Sequence, residues 1–224
     1  MRRYILILAL AVPLTAAAQF FDHFEGDRLA GHWRFTSWGQ SWEHSVSDSM
    51  LHVTRVFGQA EIHGVHILAE LPALANFDAV SIMGWDSGSV GRGMGLTIWN
   101  GANLNRDIAT IGYREPRNAD PVVIVSFNNT RDGYIEVPAP PPGMHEFRLS
   151  RTGTTLEAFL NGELLLRSTD SDMLSGNWVG LVFGARDPAV FNPLHVDLVD
   201  VVPEPTTLMV LAAGALYLLR RRRP

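Results

Sequence analysis

One stretch of sequence decides the fold: MHEFRLSRTGTTLEAFLNGELLLRS, residues 144–168. Apolar and polar side chains alternate from Met144 to Arg151 and again from Thr154 to Leu160, which is the period of a β-strand with one buried face. Asn161-Gly162 then precedes a third run, Glu163 to Ser168, and both residues of this dipeptide accept the positive φ of a two-residue hairpin turn. The segment therefore predicts antiparallel strands joined by tight turns.

Strand-like runs continue on both sides of this segment, separated by Gly, Pro and Asn. Between the two ends of the chain, no run with helical period extends beyond two turns, and no linker divides the sequence. Many short strands with regular turns are typical of a β-sandwich or barrel. The further strands are predicted at Ser49 to Phe57, Glu61 to Leu68, Phe77 to Asp86, Met94 to Trp99, Asp107 to Arg114, Val122 to Phe127, Trp178 to Gly184 and Leu194 to Val201.

The pattern of strands and turns resembles the concanavalin A-like (laminin G-like) sandwiches. The segment His145 to Ser168 is similar to their central hairpins, and Gly176 to Leu181 followed by His195 to Asp200 is similar to their last two strands. Phe21 to Gly26, with Trp33, resembles their first strand. The resemblance implies an all-β fold, an antiparallel two-sheet β-sandwich of jelly-roll type. This family includes lectins, glucanases and adhesive modules, so the fold alone does not fix a function.

The N-terminus has the pattern of a secretory signal peptide. Two arginines follow Met1, an apolar run extends from Tyr4 to Val12, and Ala16 and Ala18 form an Ala-x-Ala site. We therefore expect cleavage after Ala18. The alternative is a membrane anchor, but the apolar run is too short to span a bilayer comfortably.

The C-terminus carries a short apolar run, Thr206 to Leu219, followed by an arginine cluster. As a helix, its 14 residues reach about 21 Å, against about 30 Å of hydrocarbon in a bilayer. A short transmembrane helix is predicted here. The arginines after it favour the cytoplasm, which places the preceding chain outside. These arginines are Arg220, Arg221, Arg222 and Arg223.

Val202-Pro203-Glu204-Pro205, the apolar run and the arginine cluster together resemble the PEP-CTERM sorting signal of Gram-negative bacteria. Pro203, Glu204 and Pro205 match the motif of that family position by position. The resemblance implies processing by an exosortase in the inner membrane, at least transient anchoring there, and delivery to the cell surface or the exopolysaccharide matrix. The predicted organisation is a signal peptide over 1–18, a β-sandwich ectodomain over 19–201 and a sorting signal over 202–224.

Composition excludes several classes of function. Cysteine and lysine are absent, which excludes disulfides, Cys-ligated metals, a Cys nucleophile and a catalytic lysine. Without its two ends, the chain has 12 arginines against 22 acidic residues, a formal charge of −10. An acidic ectodomain is not expected to bind nucleic acid.

No catalytic motif is recognised, and we expect the chain not to be an enzyme. Retaining glycosidases on this scaffold use a Glu-x-Asp-x-x-Glu strand, with two carboxylates about 5 Å apart. The one Glu-x-Asp here, Glu25-Gly26-Asp27, is not followed by a third carboxylate and is interpreted as a turn. A Gly-x-Ser-x-Gly elbow is missing as well.

Metal and nucleotide sites are not favoured either. In a strand, His63 and His66 would point to opposite faces, so ordinary strand histidines are expected. Asp170 and Asp172 could begin a calcium loop, but no closing Glu follows them, so calcium is only a possible cofactor. Glycine-rich Gly91 to Gly95 precedes a strand instead of the helix that a nucleotide loop needs.

Aromatic residues give the best indication of a binding site. Sugars stack their apolar faces on aromatic rings, and polar neighbours fix their orientation. If three consecutive strands pair in sequence order, a sugar platform forms from Trp85, Asp86, Trp99, Tyr113 and Arg114. Core packing is an equal alternative for each ring, and Trp33 and Trp178 are assigned to the core.

The expected function is binding or organising extracellular polysaccharide without catalysis. Two alternatives stay open: a glycan-active hydrolase or lyase with unrecognised catalytic residues, and a purely structural matrix protein. A hydrolase would bring carboxylates together in a groove, and a lectin would expose aromatic rings there.

Overall fold

The structure, a computed structural model, describes residues 20–38, 42–55, 63–70, 76–85, 92–99, 107–116, 119–127, 133–169, 178–185 and 194–202. These residues form fifteen strands. In chain order, the strands are β1 (Phe20–Asp22), β2 (Trp33–Trp38), β3 (Trp42–Ser47), β4 (Met50–Arg55), β5 (His63–Glu70), β6 (Phe77–Trp85), β7 (Arg92–Trp99), β8 (Asp107–Arg114), β9 (Val122–Phe127), β10 (Tyr134–Pro138), β11 (Gly143–Thr152), β12 (Thr155–Leu160), β13 (Glu163–Ser168), β14 (Trp178–Ala185) and β15 (Leu194–Val202).

The strands form two antiparallel sheets. Sheet A has the order β13-β12-β11-β6-β15-β4-β3, and β1 pairs with β15 beside this path. Sheet B has the order β10-β9-β8-β7-β14-β5-β2. The fold is therefore the expected all-β, two-sheet sandwich, and most strands lie next to partners that are distant in sequence.

Alternation along each strand builds the core between the sheets. In β9 of sheet B, Val123, Val125 and Phe127 are buried while the residues between them are partly exposed. In β11 of sheet A, Phe147 and Leu149 are buried in the same way. Because side chains of a strand point alternately to its two faces, each sheet contributes one apolar face to a shared interior.

The hairpin predicted at Asn161-Gly162 is confirmed. Asn161 has φ 49° and Gly162 has φ 80°, the positive values of a two-residue turn, and Leu160 pairs with Glu163 across it. The side-chain oxygen of Asn161 also accepts a hydrogen bond from the amide of Glu146 at 3.0 Å, which fastens the turn to β11.

Two expectations about strands are corrected. The strands of the predicted sugar platform do not pair in sequence order, because β6 lies in sheet A between β11 and β15 while β7 and β8 pair in sheet B. Three strands were not predicted: β2, β3 and β10. All three lie at edges of the sheets.

Apart from Val202, the residues of the two predicted terminal signals lie outside the described residues. The predicted signal peptide, with Ala16 and Ala18, precedes them, and Pro203 to Pro224 follow them. Within the described part of the chain, no helix has the length and hydropathy needed to cross a membrane.

Candidate functional site

Two residues of the predicted sugar platform, Trp85 and Tyr113, lie in the interior. Their rings stack with centroids 3.9 Å apart and an interplanar angle of 17°. They are 2% and 3% exposed, so neither ring offers a face to a sugar. The prediction for these two residues is corrected: β6 and β8 belong to opposite sheets, and both rings occupy inward positions that meet across the core.

The other members of the platform do not come together. Trp99 and Arg114 both lie on the face of sheet B that points away from the core, called here the outer face, but at opposite ends of it. Trp99 is 5% exposed and Arg114 is exposed. Asp86 lies outside the described residues. A sugar-binding role for Trp99 and Arg114 stays a prediction.

Glycines replace side chains in the middle of the outer face. We call this area the glycine floor; it consists of Gly93 and Gly95 on β7, Gly112 on β8 and Gly180 on β14. A Cβ atom added to Gly95 would lie 2.7 Å from the carbonyl oxygen of Ile111, which is closer than real Cβ contacts. The neighbouring strands therefore approach too closely for side chains. Gly95, Gly112 and Gly180 are themselves buried, and Gly93 is partly exposed.

Thr97 is the polar centre of the outer face. Its hydroxyl lies 3.2 Å from the carbonyl oxygen of Ala109, to which it donates, and 2.8 Å from the hydroxyl of Thr110. The indole Nε1 of Trp99 donates to the same hydroxyl at 3.0 Å. Thr97 is fully buried, so these bonds satisfy its polar group and fix the Trp99 ring in the conformation described.

Trp178 begins β14 at one end of the outer face, beside Trp99. Its ring is half-buried, which corrects its assignment to the core, because it points away from the sandwich. The guanidinium of Arg34 lies 4.9 Å from the Trp178 ring centroid, within cation–π range, and its Nη2 is 3.7 Å from Oε2 of Glu70. Trp33, in contrast, is 7% exposed, as expected for the core.

The exposed edge of sheet B carries a polar and aromatic group that we call the edge cluster: Tyr134, Glu136 and Arg114. Tyr134 and Glu136 are two residues apart on β10 and share the outer face, and Arg114 ends β8. The Tyr134 hydroxyl donates to Oε1 of Glu136. The Tyr134 side chain is 46% exposed, so its ring is accessible to a ligand.

The electrostatics of the edge cluster follow from these contacts. Partial burial raises the pKa of Tyr134, and the hydrogen bond and negative charge of Glu136 raise it further. Arg114 opposes this effect through its positive charge and a hydrogen bond to the phenol. The phenol is therefore held neutral as a hydrogen-bond donor between a carboxylate and a guanidinium.

Tyr134 and Glu136 were not predicted as site residues because β10 was not predicted. The alternation Tyr134-Ile135-Glu136-Val137 would have placed the tyrosine and the glutamate on one face. Arg34 and Glu70 were missed for a different reason: they meet only through the pairing of β2 with β5.

The structure also bears on the predicted turn at residues 25–27, on the strand histidines and on the possible metal ligands. Glu25-Gly26-Asp27 lies in an exposed bend with Gly26 at φ 113°, so its interpretation as a turn is confirmed. His63 and His66 lie on β5, as expected for strand histidines. Asp170 and Asp172 lie outside the described residues. Among the described residues, no group of three or more His, Asp or Glu side chains is placed to hold a metal ion.

The central strand of sheet B reads Arg-Gly-Met-Gly-Leu-Thr-Ile-Trp and contains no carboxylate. Glu70 on β5 and Glu136 on β10 are carboxylates at outward positions of the described sheet, and five strand spacings separate them, about 24 Å. Glycosidases need their two carboxyl groups about 5–9.5 Å apart. These two residues therefore cannot form such a pair.

Comparison with known proteins identifies the C-terminal signal. Residues 201–223 match the PEP-CTERM protein-sorting motif, as the sequence indicated. The motif marks an exported protein that is sorted by an exosortase to the cell surface. No curated protein matches the chain.

Several solved structures share the sandwich. The CBM2 module of the evolved Dit protein of Lactobacillus casei BL23 phage J-1 has a TM-score of 0.61 at 11% identity, over 81% of this chain and 93% of the module. A putative β-glucanase from Mycobacterium abscessus has a TM-score of 0.58 at 15% identity, over 81% and 98%. A laminarinase from Flavobacterium sp. UMI-01 has a TM-score of 0.58 at 14% identity, over 82% and 98%. At these identities the likeness establishes the fold, a concanavalin A-like jelly roll.

These structures correct one expectation. The chain was expected not to be an enzyme because no glycosidase motif was recognised. The sandwich is, however, shared with a laminarinase and a β-1,3-glucanase from Mycobacterium marinum, so its architecture is one that supports glycoside hydrolysis. The absence of a familiar motif was not sufficient ground for that expectation.

Proposed function

We propose that this exported protein interacts with polysaccharide at the cell surface through the outer face of sheet B. The observation that carries the proposal is the edge cluster: an exposed tyrosine ring held between a carboxylate and a guanidinium. Aromatic rings stack on the apolar faces of sugars, while charged groups bond their hydroxyls. The sorting motif supports a location where extracellular polysaccharide is available.

The exposed groups at the two sides of the outer face support an extended ligand. The glycine floor lies between the edge cluster and the Trp178–Arg34 pair, but Gly95, Gly112 and Gly180 are buried, so the contacts are assigned to the side chains on either side of it. From β10 to β14 the face covers four strand spacings, roughly 19 Å. A polysaccharide lying across the strands would contact Tyr134 at one side and Trp178 at the other.

A second candidate function is glycoside hydrolysis, favoured by the β-glucanases among the similar structures. In that case at least one of the catalytic carboxylates would come from a residue other than Glu70 and Glu136. Both functions use the same face of the sandwich, so one experiment can separate them.

The test uses the domain over 19–202, which contains every described strand, and a panel of β-glucans and acidic exopolysaccharides. Binding is measured by isothermal titration calorimetry, and hydrolysis by release of reducing sugar. We expect saturable binding that weakens about tenfold in Tyr134→Ala, corresponding to about 1.4 kcal/mol. The matched control is Leu164→Ala, an exposed apolar residue at the edge of sheet A, which should bind like the native domain. Equal losses in both variants, or no binding at all, would contradict the proposal.

A further inference from the structure

The sorting motif begins inside the sandwich. The match to the motif starts at residue 201, and β15 continues to Val202. Val201 pairs with Ala79 of β6 on one side and with Phe20 of β1 on the other, and Val202 pairs with Asp78. The first two residues of the motif are therefore part of a folded sheet.

Almost no chain separates this sheet from the recognition tripeptide. Pro203 and Pro205 lack an amide hydrogen, which explains why the ladder of β15 ends at Val202. Three residues of fully extended chain span at most about 11 Å. The sequence therefore has no spacer between the last paired residue, Val202, and the tripeptide.

We infer that the exosortase reaches Pro203-Glu204-Pro205 only after the corner formed by β1 and the end of β15 has opened, so that the folding state of this corner controls processing. An enzyme that cleaves a peptide bond must admit several residues of extended, unpaired backbone. Where the substrate backbone is paired, cleavage follows the population of the locally opened state.

Asp22 fastens this corner. It is the last residue of the three-residue β1, and its Oδ1 accepts a hydrogen bond from the amide of Phe24 at 2.7 Å. Its Oδ2 accepts one from Nε1 of Trp33 at 2.6 Å. Because Trp33 is buried in β2, this bond ties β1 to the core. Loosening it should favour opening of the corner without removing a strand.

The first test measures the rate of processing of the full-length precursor in an exosortase-containing host, by pulse labelling and electrophoretic mobility. Trp33→Phe removes the Nε1–H donor and keeps an aromatic ring, and we expect processing to accelerate severalfold. Val125→Ala is the matched control, since it creates a cavity in β9, far from the corner in chain order and in the other sheet. Equal acceleration by both variants would assign the effect to global instability and overturn the inference.

The second test locks the corner. The chain has no cysteine, so Phe20→Cys with Val201→Cys introduces one disulfide between directly paired residues, whose Cα separation in an antiparallel ladder suits such a bond. We expect the oxidised precursor to accumulate unprocessed, while each single variant is processed normally. Inserting a Gly-Ser linker of about ten residues between Val202 and Pro203 should restore processing of the locked domain. Native-rate processing of the locked precursor without the linker, or failure of the linker to restore it, would overturn the inference.

Discussion

Trp85 and Tyr113 connect the two sheets through one aromatic stack, and their contribution to stability can be measured. Trp85→Ala removes a ring that is 2% exposed and lies 3.9 Å from its partner. We expect the free energy of unfolding to fall by about 3–5 kcal/mol, because a large cavity remains. Urea denaturation measures the loss. Trp85→Phe retains an aromatic ring and should lose less; an equal loss in the two variants would contradict a role for the stack.

The edge cluster makes a prediction about alkaline pH. Because the pKa of folded Tyr134 is raised, the folded state disfavours the phenolate more than the unfolded state does. The contribution of the neutral phenol to the free energy of unfolding is therefore fully present at pH values below the ordinary tyrosine pKa. This contribution is lost as the pH rises through the raised pKa of the folded state. Absorbance of tyrosinate should show a late-titrating group that disappears in Tyr134→Phe.

Glu136→Gln separates the causes of that shift. The negative charge disappears while the amide oxygen can still accept from the phenol, so the pKa of Tyr134 should move down towards its ordinary value to the extent that the charge raises it. An unchanged titration in Glu136→Gln would mean that the negative charge of Glu136 does not raise the pKa of Tyr134, and that burial and the hydrogen bond account for the shift.

Single residues show why the site was harder to predict than the fold. Alternation predicts that Trp85 and Met83 share a face, but it does not predict which sheet β6 joins. Trp85 is buried because β6 pairs with β11 and β15. The sequence around residue 85 does not predict either of these partner strands. The interior position of Trp33, by contrast, was predicted correctly.

Among the elements, the glycines of β7 and β8 make a sharp prediction. A Cβ atom at Gly112 would lie 2.7 Å from the Cα of Gly95 on the neighbouring strand, so a backbone must move. Gly112→Ala should therefore lower the melting temperature markedly and widen the gap between the two strands. Gly31→Ala is the control, because a Cβ there meets no atom within 4 Å and should leave the melting temperature nearly unchanged. Equal effects at the two positions would contradict a close approach of β7 and β8.

The strands that sequence analysis found and missed differ in their place in the sheets. Interior strands such as β8 and β9 were predicted with their observed bounds, since a buried face gives a clear alternation. The missed strands β2, β3 and β10 are edges, which are exposed and carry mixed residues. The remaining edge, β13, was found because the Asn161-Gly162 turn identifies its hairpin.

At the scale of the whole molecule, fold class and destination could be predicted from sequence because each depends on local information. The two-residue alternation along the strands indicates the fold class, and the C-terminal motif indicates the destination. The outer face of sheet B is different, since its candidate residues come from β2, β5, β7, β8, β10 and β14. Their order across the sheet is set by long-range pairing, which a single sequence does not encode in any short segment.

The interior place of the last strand predicts where the domain can be shortened. Ending the chain after Val202 removes none of the described ladder, so the domain should keep its cooperative unfolding. Ending it after Asp197 removes Val199, which is fully buried, together with the pairings to β1 and most of those to β6. A gap in the middle of sheet A would then expose apolar core to water, and we expect that shorter chain to lose cooperative thermal unfolding by calorimetry. If both truncations unfold with the same melting temperature, the end of β15 is not an integral part of the sandwich, and the coupling of sorting to folding at this corner loses its structural basis.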